Sequence, residues 1–293
     1  MVQETFQTDG IFKGKVAIVT GAAQGLGRAY VQALLDQGAR VVASDLGTDR
    51  AGEGADESVM TEAARSLLTA NGQLITHSGQ LDDEASCKQL VSLAIEHFGA
   101  LDIVIHNAGW VGYQSVEDQE DDFLERSLGI NVRAPIWLCK HAWKHLKHSS
   151  SARIVLNTSD RAMYSQYAQK GLTAYAAGKM AQVGIMNALS MEGEPHGILV
   201  NAISPVAKTR MWGITQPPAD LKPEWVAPGV LYLASSLCHD TGIILRASNG
   251  QFTATRFCEN PGVDYPTNLA RVSCNSVEDI ARNWPHIKEF GDV

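Results

Sequence analysis

The feature that most restricts what this chain can fold into is a strand, a glycine turn and a helix in immediate succession near the N-terminus. Val16-Ala17-Ile18-Val19 is a continuous apolar run rich in β-branched residues, the pattern of a strand buried on both faces. It ends at Thr20-Gly21-Ala22-Ala23-Gln24-Gly25-Leu26-Gly27. The glycines have separate uses. Gly21 permits a tight turn, Gly25 lets backbone approach a pyrophosphate, and Gly27 allows helix and strand to pack closely. A helix is predicted over 25–37, with Leu26, Tyr30, Ala33 and Leu34 on one side and Gly38 as its stop. Its first N–H groups and the positive end of its dipole suit a bound phosphate.

The alternation continues along the chain. Strands are predicted at 41–43, 74–76, 102–106, 154–157, 198–203 and 243–245, and helices near 58–70, 83–97, 118–128, 132–147, 174–192 and 224–236. This is the signature of an α/β fold: a single-domain, Rossmann-like, doubly wound parallel sheet of about seven strands with helices on both faces. Right-handed crossovers then bring every strand's C-terminal end to one edge, where ligands bind. Residues 1–250 are read as one dinucleotide-binding and catalytic domain. Residues 251–293 lose the alternation, carry Pro261, Pro266 and Pro285, and hold one short predicted helix after Ser276. They are read as a C-terminal extension packed on the core or on a partner subunit.

Composition closes other routes. A hydrophobic content of 45% with 19% charged residues excludes a disordered chain. The net charge is −8 and no basic stripe occurs, so no nucleic-acid partner is expected. No apolar run approaches the roughly 20 residues of a membrane span. The five cysteines are scattered, without a Cys-x-x-Cys pair. That fits reduced thiols, and with no leader-like N-terminus the expected location is cytoplasmic. His141, His145 and His148 share a helical spacing, but Lys140, Lys144 and Lys147 around them oppose a cation, so no metal is expected.

Asp45 ends the second strand, 18 residues after Gly27. A carboxylate there can accept hydrogen bonds from both adenosine ribose hydroxyls and repels a 2′-phosphate, which favours NAD over NADP. Arg28 and Arg50 lie close in sequence and leave NADP open. The alternative for Asp45 is a turn-forming aspartate before Gly47. Further along, Tyr175-Ala-Ala-Gly-Lys179 places a phenol and an ammonium four residues apart on one helix face. A nearby ammonium lowers a phenol's pKa from its usual value of about 10, making a plausible general acid/base for carbonyl–alcohol interconversion.

Five motifs in order, Thr20-Gly-x-x-x-Gly-x-Gly27, Asn107-Ala-Gly109, Asn131, Ser159 and Tyr175-x-x-x-Lys179, resemble the short-chain dehydrogenase/reductase family over residues 12–250. In finer detail Gly27-Arg-Ala-Tyr30, Ser44-Asp-Leu-Gly47, the segment 221–228 and Asn283-Trp284 are similar to the (3R)-hydroxyacyl-CoA dehydrogenase module of peroxisomal multifunctional enzymes. The resemblance implies a catalytic set of Asn131, Ser159, Tyr175 and Lys179. Tyr175 moves the alcohol proton, Lys179 lowers its pKa and holds the nicotinamide ribose, Ser159 binds the substrate oxygen, and Asn131 keeps a water-linked proton path. It implies that Gly21, Gln24, Gly25, Leu26, Gly27 and Asp45 bind the dinucleotide together with Asn107, Ala108 and Gly109. Gln80 and Leu81 sit at the adenine, and Ile203 and Thr209 at the carboxamide. It also implies a homodimer or homotetramer.

Two departures from the family pattern matter: Val206 stands where the family often has Gly after Pro, and the loop before Tyr175 is longer. The loop between Ser159 and Tyr175 carries three extra residues, counted from the strand register. Asp160 and Arg161 therefore adjoin the serine; they are expected to pair with each other, or else Asp160 attracts a cationic substrate group. Trp110, Asp160, Tyr167, Met211 and Trp212 are the candidate substrate contacts and favour a hydrophobic ligand, such as a 3-hydroxyacyl thioester, a steroid or an aryl alcohol. The reading is an NAD-dependent alcohol dehydrogenase or ketoreductase. A non-redox enzyme on the same scaffold, such as a dehydratase or epimerase, and a nucleotide-sensing binding protein are the alternatives.

Overall fold

A computed structural model of the protein describes residues 10–49, 52–67, 72–207 and 221–288. It separates into two compact units, residues 1–255 and 256–293. In the first unit, β1 (Val16–Thr20), α1 (Gly25–Asp36), β2 (Arg40–Asp45), α2 (Glu57–Ser66), β3 (Gln73–Ser78), α3 (Glu84–Phe98) and β4 (Ile103–His106) form the first half. The second half holds α4 (Asp121–Leu128), α5 (Ala134–Leu146), β5 (Arg153–Asn157), α6 (Asp160–Met163) and α7 (Thr173–Gly193). It closes with β6 (Leu199–Val206), α8 (Ala227–Ala234), β7 (Ile244–Ser248) and β8 (Gln251–Thr255).

The strands make one sheet in the order β3-β2-β1-β4-β5-β6-β7-β8. The seven strands β1 to β7 are parallel, and β8 returns antiparallel to β7. This eighth strand lies at 251–255, where the sequence pattern lost its alternation. Side chains divide the sheet by the two-residue period of a strand. Ala17, Val19, Val41, Ala43, Ile103 and Ile105 pack with Tyr30, Leu34 and Leu35 of α1 and Val230 and Leu233 of α8. Val16, Ile18, Val42, Val104 and Ile154 pack on the opposite face with Leu90 of α3, Leu138 and Ala142 of α5, and Val183 and Met186 of α7. A near-continuous apolar strand is stable only when covered on both sides, and the two helix layers supply that cover.

Because β2 and β3 lie to one side of β1 and β4 lies to the other, the chain reverses direction across the sheet between β1 and β4. The crevice beyond their C-terminal ends is where this topology puts a ligand. The predicted break between the helices near 118–128 and 132–147 is a π-helical turn, Gly129–Arg133, joining α4 to α5 without interruption. The wider turn brings Asn131 fully inside. On α5, His141 meets Glu84 of α3 at 3.1 Å, a carboxylate that Lys140 also binds. In the second unit, α9 (Val277–Ile287) starts at a Ser276 cap that accepts from the Asp279 N–H.

Candidate active site

The glycine turn lies at the C-terminal end of β1. Gly21 takes a positive φ of 63°, and a side chain there would lie 2.9 Å from the Ala108 Cα. At Gly27 a Cβ would sit 2.0 Å from the Gly21 carbonyl oxygen, so α1 touches the turn directly. Gln24 provides no side-chain cap to α1. The first N–H groups of that helix are thus available where Gln24, Gly25 and Leu26 line a cavity of about 730 Å³. Asp45 lines the same cavity. Its Oδ2 accepts the Ala23 N–H and its Oδ1 the Gly47 N–H, both at 2.9 Å. Each oxygen keeps further acceptor capacity, so the turn-forming role and a ribose-binding role are compatible. Arg28 is turned away to Ser66 on α2.

Gln80, Leu81, Asn107, Ala108 and Gly109 line the cavity as well. Asn107 ties the turn to the sheet: its Nδ2 donates to the Thr20 and Gly21 carbonyls and its Oδ1 accepts from Asn157 at the end of β5. A cradle in which glycines give the room, a helix start presents N–H groups and an aspartate closes the far side fits a dinucleotide. Two residues assigned to it stand behind the wall instead. Gly27 is a packing contact, and Ile203 is buried, its carbonyl accepting the Thr158 N–H. Thr209, Met211 and Trp212 lie outside the described residues.

At the other end of the cavity lie Ser159, Tyr175 and Lys179. Ser159 caps α6 by accepting the Arg161 N–H at 3.3 Å, and its hydroxyl acts on the Tyr175 phenol, favouring the ionised form. Burial pushes the Tyr175 phenol above its usual value, while Ser159 and the Arg161 guanidinium pull against that. Lys179, one turn along α7, is buried and donates to the Asn157 carbonyl at 2.8 Å. Burial brings its amine down to about 7. The side chains that act on the Tyr175 phenol in this arrangement are Ser159 and Arg161, which favour its ionisation, and Tyr113, which opposes it. Asn131 stands one layer back, donating to the Trp110 carbonyl at 3.2 Å. Its Oδ1 is buried without a hydrogen-bond partner among the described residues, near Gly109 and the Lys179 Nζ.

Asp160 does not pair with Arg161. It accepts Arg246 Nη2 of β7 at 2.7 Å and Nε at 3.1 Å, and the Ser204 hydroxyl at 2.7 Å. Ser159 immediately precedes α6, so the short helix turns Asp160 away from Arg161 and onto β6 and β7. The Arg246 guanidinium also lies over the rings of Tyr164 and Tyr167, at 4.7 and 6.0 Å. Tyr167 is thus held beside Arg246 and is not among the cavity-lining residues. Trp110 is, with its ring against Phe123 and under Arg126.

Three supporting residues escaped the sequence reading: Asn157, Arg246 and His106. His106 is buried, with Nδ1 3.1 Å from the Thr20 hydroxyl and Nε2 3.1 Å from the Ile130 carbonyl. Burial and Lys179 bring its pKa down to about 3.

Residues 15–217 match the family described as short chain dehydrogenase. A short-chain type dehydrogenase/reductase of Mycobacterium tuberculosis is 30% identical, over 94% of each chain. Peroxisomal multifunctional enzyme A of Dictyostelium discoideum is 30% identical over 95% of this chain, which spans 61% of that enzyme's length. The structure of a short chain dehydrogenase from Mycobacterium paratuberculosis bound to NAD shares the fold, with a TM-score of 0.74 and 24% identity over 82% of this chain and 98% of its own. Among the described residues no helix is long and apolar enough to cross a membrane. The chain belongs to the short-chain dehydrogenase family and is an oxidoreductase of the dehydrogenase/reductase class.

Proposed function

We propose that the chain interconverts a secondary alcohol and a ketone, using NAD(H), with Tyr175 as the acid/base. The observation that carries this reading is that Ser159, Tyr175 and Lys179 line the same cavity as the glycine cradle. When bound, the dinucleotide supplies or takes the hydride. Gly21, Gln24, Gly25, Leu26 and Asp45 hold it, and the Asp45 carboxylate disfavours a 2′-phosphate, so NAD is preferred to NADP. The NAD found in the Mycobacterium paratuberculosis structure is consistent with that preference.

In ketone reduction the Tyr175 hydroxyl donates its proton to the carbonyl oxygen while the Ser159 hydroxyl hydrogen-bonds the same oxygen. The raised pKa keeps this phenol protonated at neutral pH, ready to act as the acid. In alcohol oxidation the phenol has to lose its proton first. Ser159 and Arg161 favour that form, and oxidation is accordingly faster on the alkaline side. Lys179, with its amine near 7, exchanges a proton close to working pH.

The test is absorbance of the reduced nicotinamide with NAD or NADP and a panel of secondary alcohols, in wild type and Tyr175→Phe. The variant is expected to lose at least about a thousandfold in kcat while its NAD dissociation constant changes less than about twofold. A Tyr175→Phe protein that keeps most of its rate rules the mechanism out.

A further inference from the structure

We propose that Arg161 receives a carboxylate of the substrate, so that the alcohol this site oxidises is a hydroxy acid. The inference rests on the reading of the site given above and names its substrate class.

Eight charged residues line the cavity: Asp45, Asp82, Glu125, Asp160, Arg126, Arg133, Arg161 and Lys179. Asp45 and Asp82 belong to the dinucleotide end. Glu125 pairs with Arg133, and Arg126 lies over the Trp110 ring. Lys179 donates to a backbone carbonyl. Asp160, the carboxylate next to Arg161 in the chain, is taken by Arg246 and Ser204. Arg161 is left without a carboxylate partner among the described residues. Among the described residues its side chain makes one hydrogen bond, from Nη1 to the Tyr113 hydroxyl at 2.9 Å. The remaining Nε and Nη2 donors form the planar fork that matches a carboxylate's two oxygens.

Position makes this more than a surface arginine. Arg161 follows Ser159 by two residues, lines the same cavity as Ser159 and Tyr175, and acts electrostatically on the Tyr175 phenol. A cation there meets a substituent only a few bonds from the reacting carbon. A site built for a steroid, an aryl alcohol or the neutral thioester end of an acyl chain gains nothing from a guanidinium on this wall. A hydroxy acid gains a charge-assisted fork, and its oxidation to the keto acid sends the hydride to the oxidised dinucleotide and the hydroxyl proton to Tyr175.

The experiment uses matched pairs: 2-, 3- and 4-hydroxypentanoate and their methyl esters, alongside neutral secondary alcohols, with NAD. For at least one chain length the acid is expected to exceed its ester at least tenfold in kcat/KM. Arg161→Gln is expected to bring that ratio to within about twofold of unity, chiefly through KM, and Arg161→Lys to retain part of it. Calorimetric titration of Tyr175→Phe with the preferred acid reads binding without turnover, and adding Arg161→Gln is expected to weaken it at least tenfold. Oxidation of neutral alcohols or esters without acid preference, or a preference that Arg161→Gln leaves intact, overturns the carboxylate assignment alone. Failure to oxidise any alcohol with either dinucleotide overturns the dehydrogenase reading as well.

Discussion

Asp160 and Arg246 are 86 residues apart in sequence, yet three guanidinium hydrogen bonds of 2.7–3.1 Å join them one residue beyond Ser159. The pair is largely shielded, with side chains 15% and 28% exposed. It anchors α6 to β7, and α6 begins at the serine. Removing one partner leaves the other charge unmatched, which costs roughly 3–5 kcal/mol when fully buried. Partial exposure reduces that to about 1–3 kcal/mol for Arg246→Met or Asp160→Asn. The two single variants and the double variant, compared by urea denaturation, should show coupling. Ser159 should also drift from Tyr175, lowering kcat about tenfold or more with NAD affinity unchanged. An Arg246→Met protein of wild-type stability and kcat removes the latch from the account.

Gly27→Ala tests the packing of the cradle. Its Cβ would fall 2.0 Å from a backbone oxygen, which no rotamer can relieve. Either α1 or the glycine turn has to move. A loss of about 2–4 kcal/mol in stability, as for an overpacked core, and of at least tenfold in NAD affinity is expected. Fluorescence titration with NADH and thermal melting measure both. Unchanged NADH binding would mean that the turn and helix do not act as one unit.

The cradle was legible because each of its parts is local. Strand, turn and helix occupy consecutive residues, and a glycine's lack of a side chain is written in the sequence. Tyr175 and Lys179 were legible for the same reason, since four residues on a helix fix their shared face. What escaped depends on distance along the chain. Nothing near Asp160 indicates that Arg246 of β7 will reach it, and the nearer Arg161 is the natural guess from sequence alone. The π turn at Gly129–Arg133 gave only an ambiguous break between two helices, because one extra residue in a turn leaves no pattern of its own. Strand β8 was hidden by its partner: Gln251–Thr255 is an edge strand paired on one side to β7, and such a strand lacks the continuous apolar run of β1 or β5.

Lys179 should make the protein more stable as pH rises above neutral. Its amine lies at about 7 in the folded chain and near 10.5 when exposed. Between these values the unfolded chain holds a proton that the folded chain has released, so stability increases with pH through that window. From pH 7 to 9 this group alone contributes about 2 kcal/mol. Other groups titrate over the same range, so the measurement is a difference. Urea denaturation of wild type and Lys179→Met at both pH values should show the variant lacking this rise. Parallel behaviour of the two proteins would mean that Lys179 titrates at its ordinary value.

His106 makes the opposite limb. The Ile130 carbonyl can only accept, so Nε2 carries the ring proton. The Thr20 hydroxyl then donates to Nδ1 while accepting the Ala108 N–H at 3.0 Å. One neutral ring thereby joins the end of β1, the Asn107-Ala108-Gly109 segment and the π turn that carries Asn131. Folded, it titrates at about 3; unfolded, near 6.5. As pH falls through this interval the unfolded chain takes a proton that the folded chain refuses, and stability is lost. Between pH 7 and 5 the loss from this residue is about 2 kcal/mol. His106→Leu should remove that dependence while costing about 1–3 kcal/mol at pH 7 for each polar group it strands. His106→Gln, which can offer one donor and one acceptor, should recover part of the cost at pH 7 and also lack the acid limb. A wild-type acid limb in either variant would show that the buried ring is not what makes this protein sensitive below neutral pH.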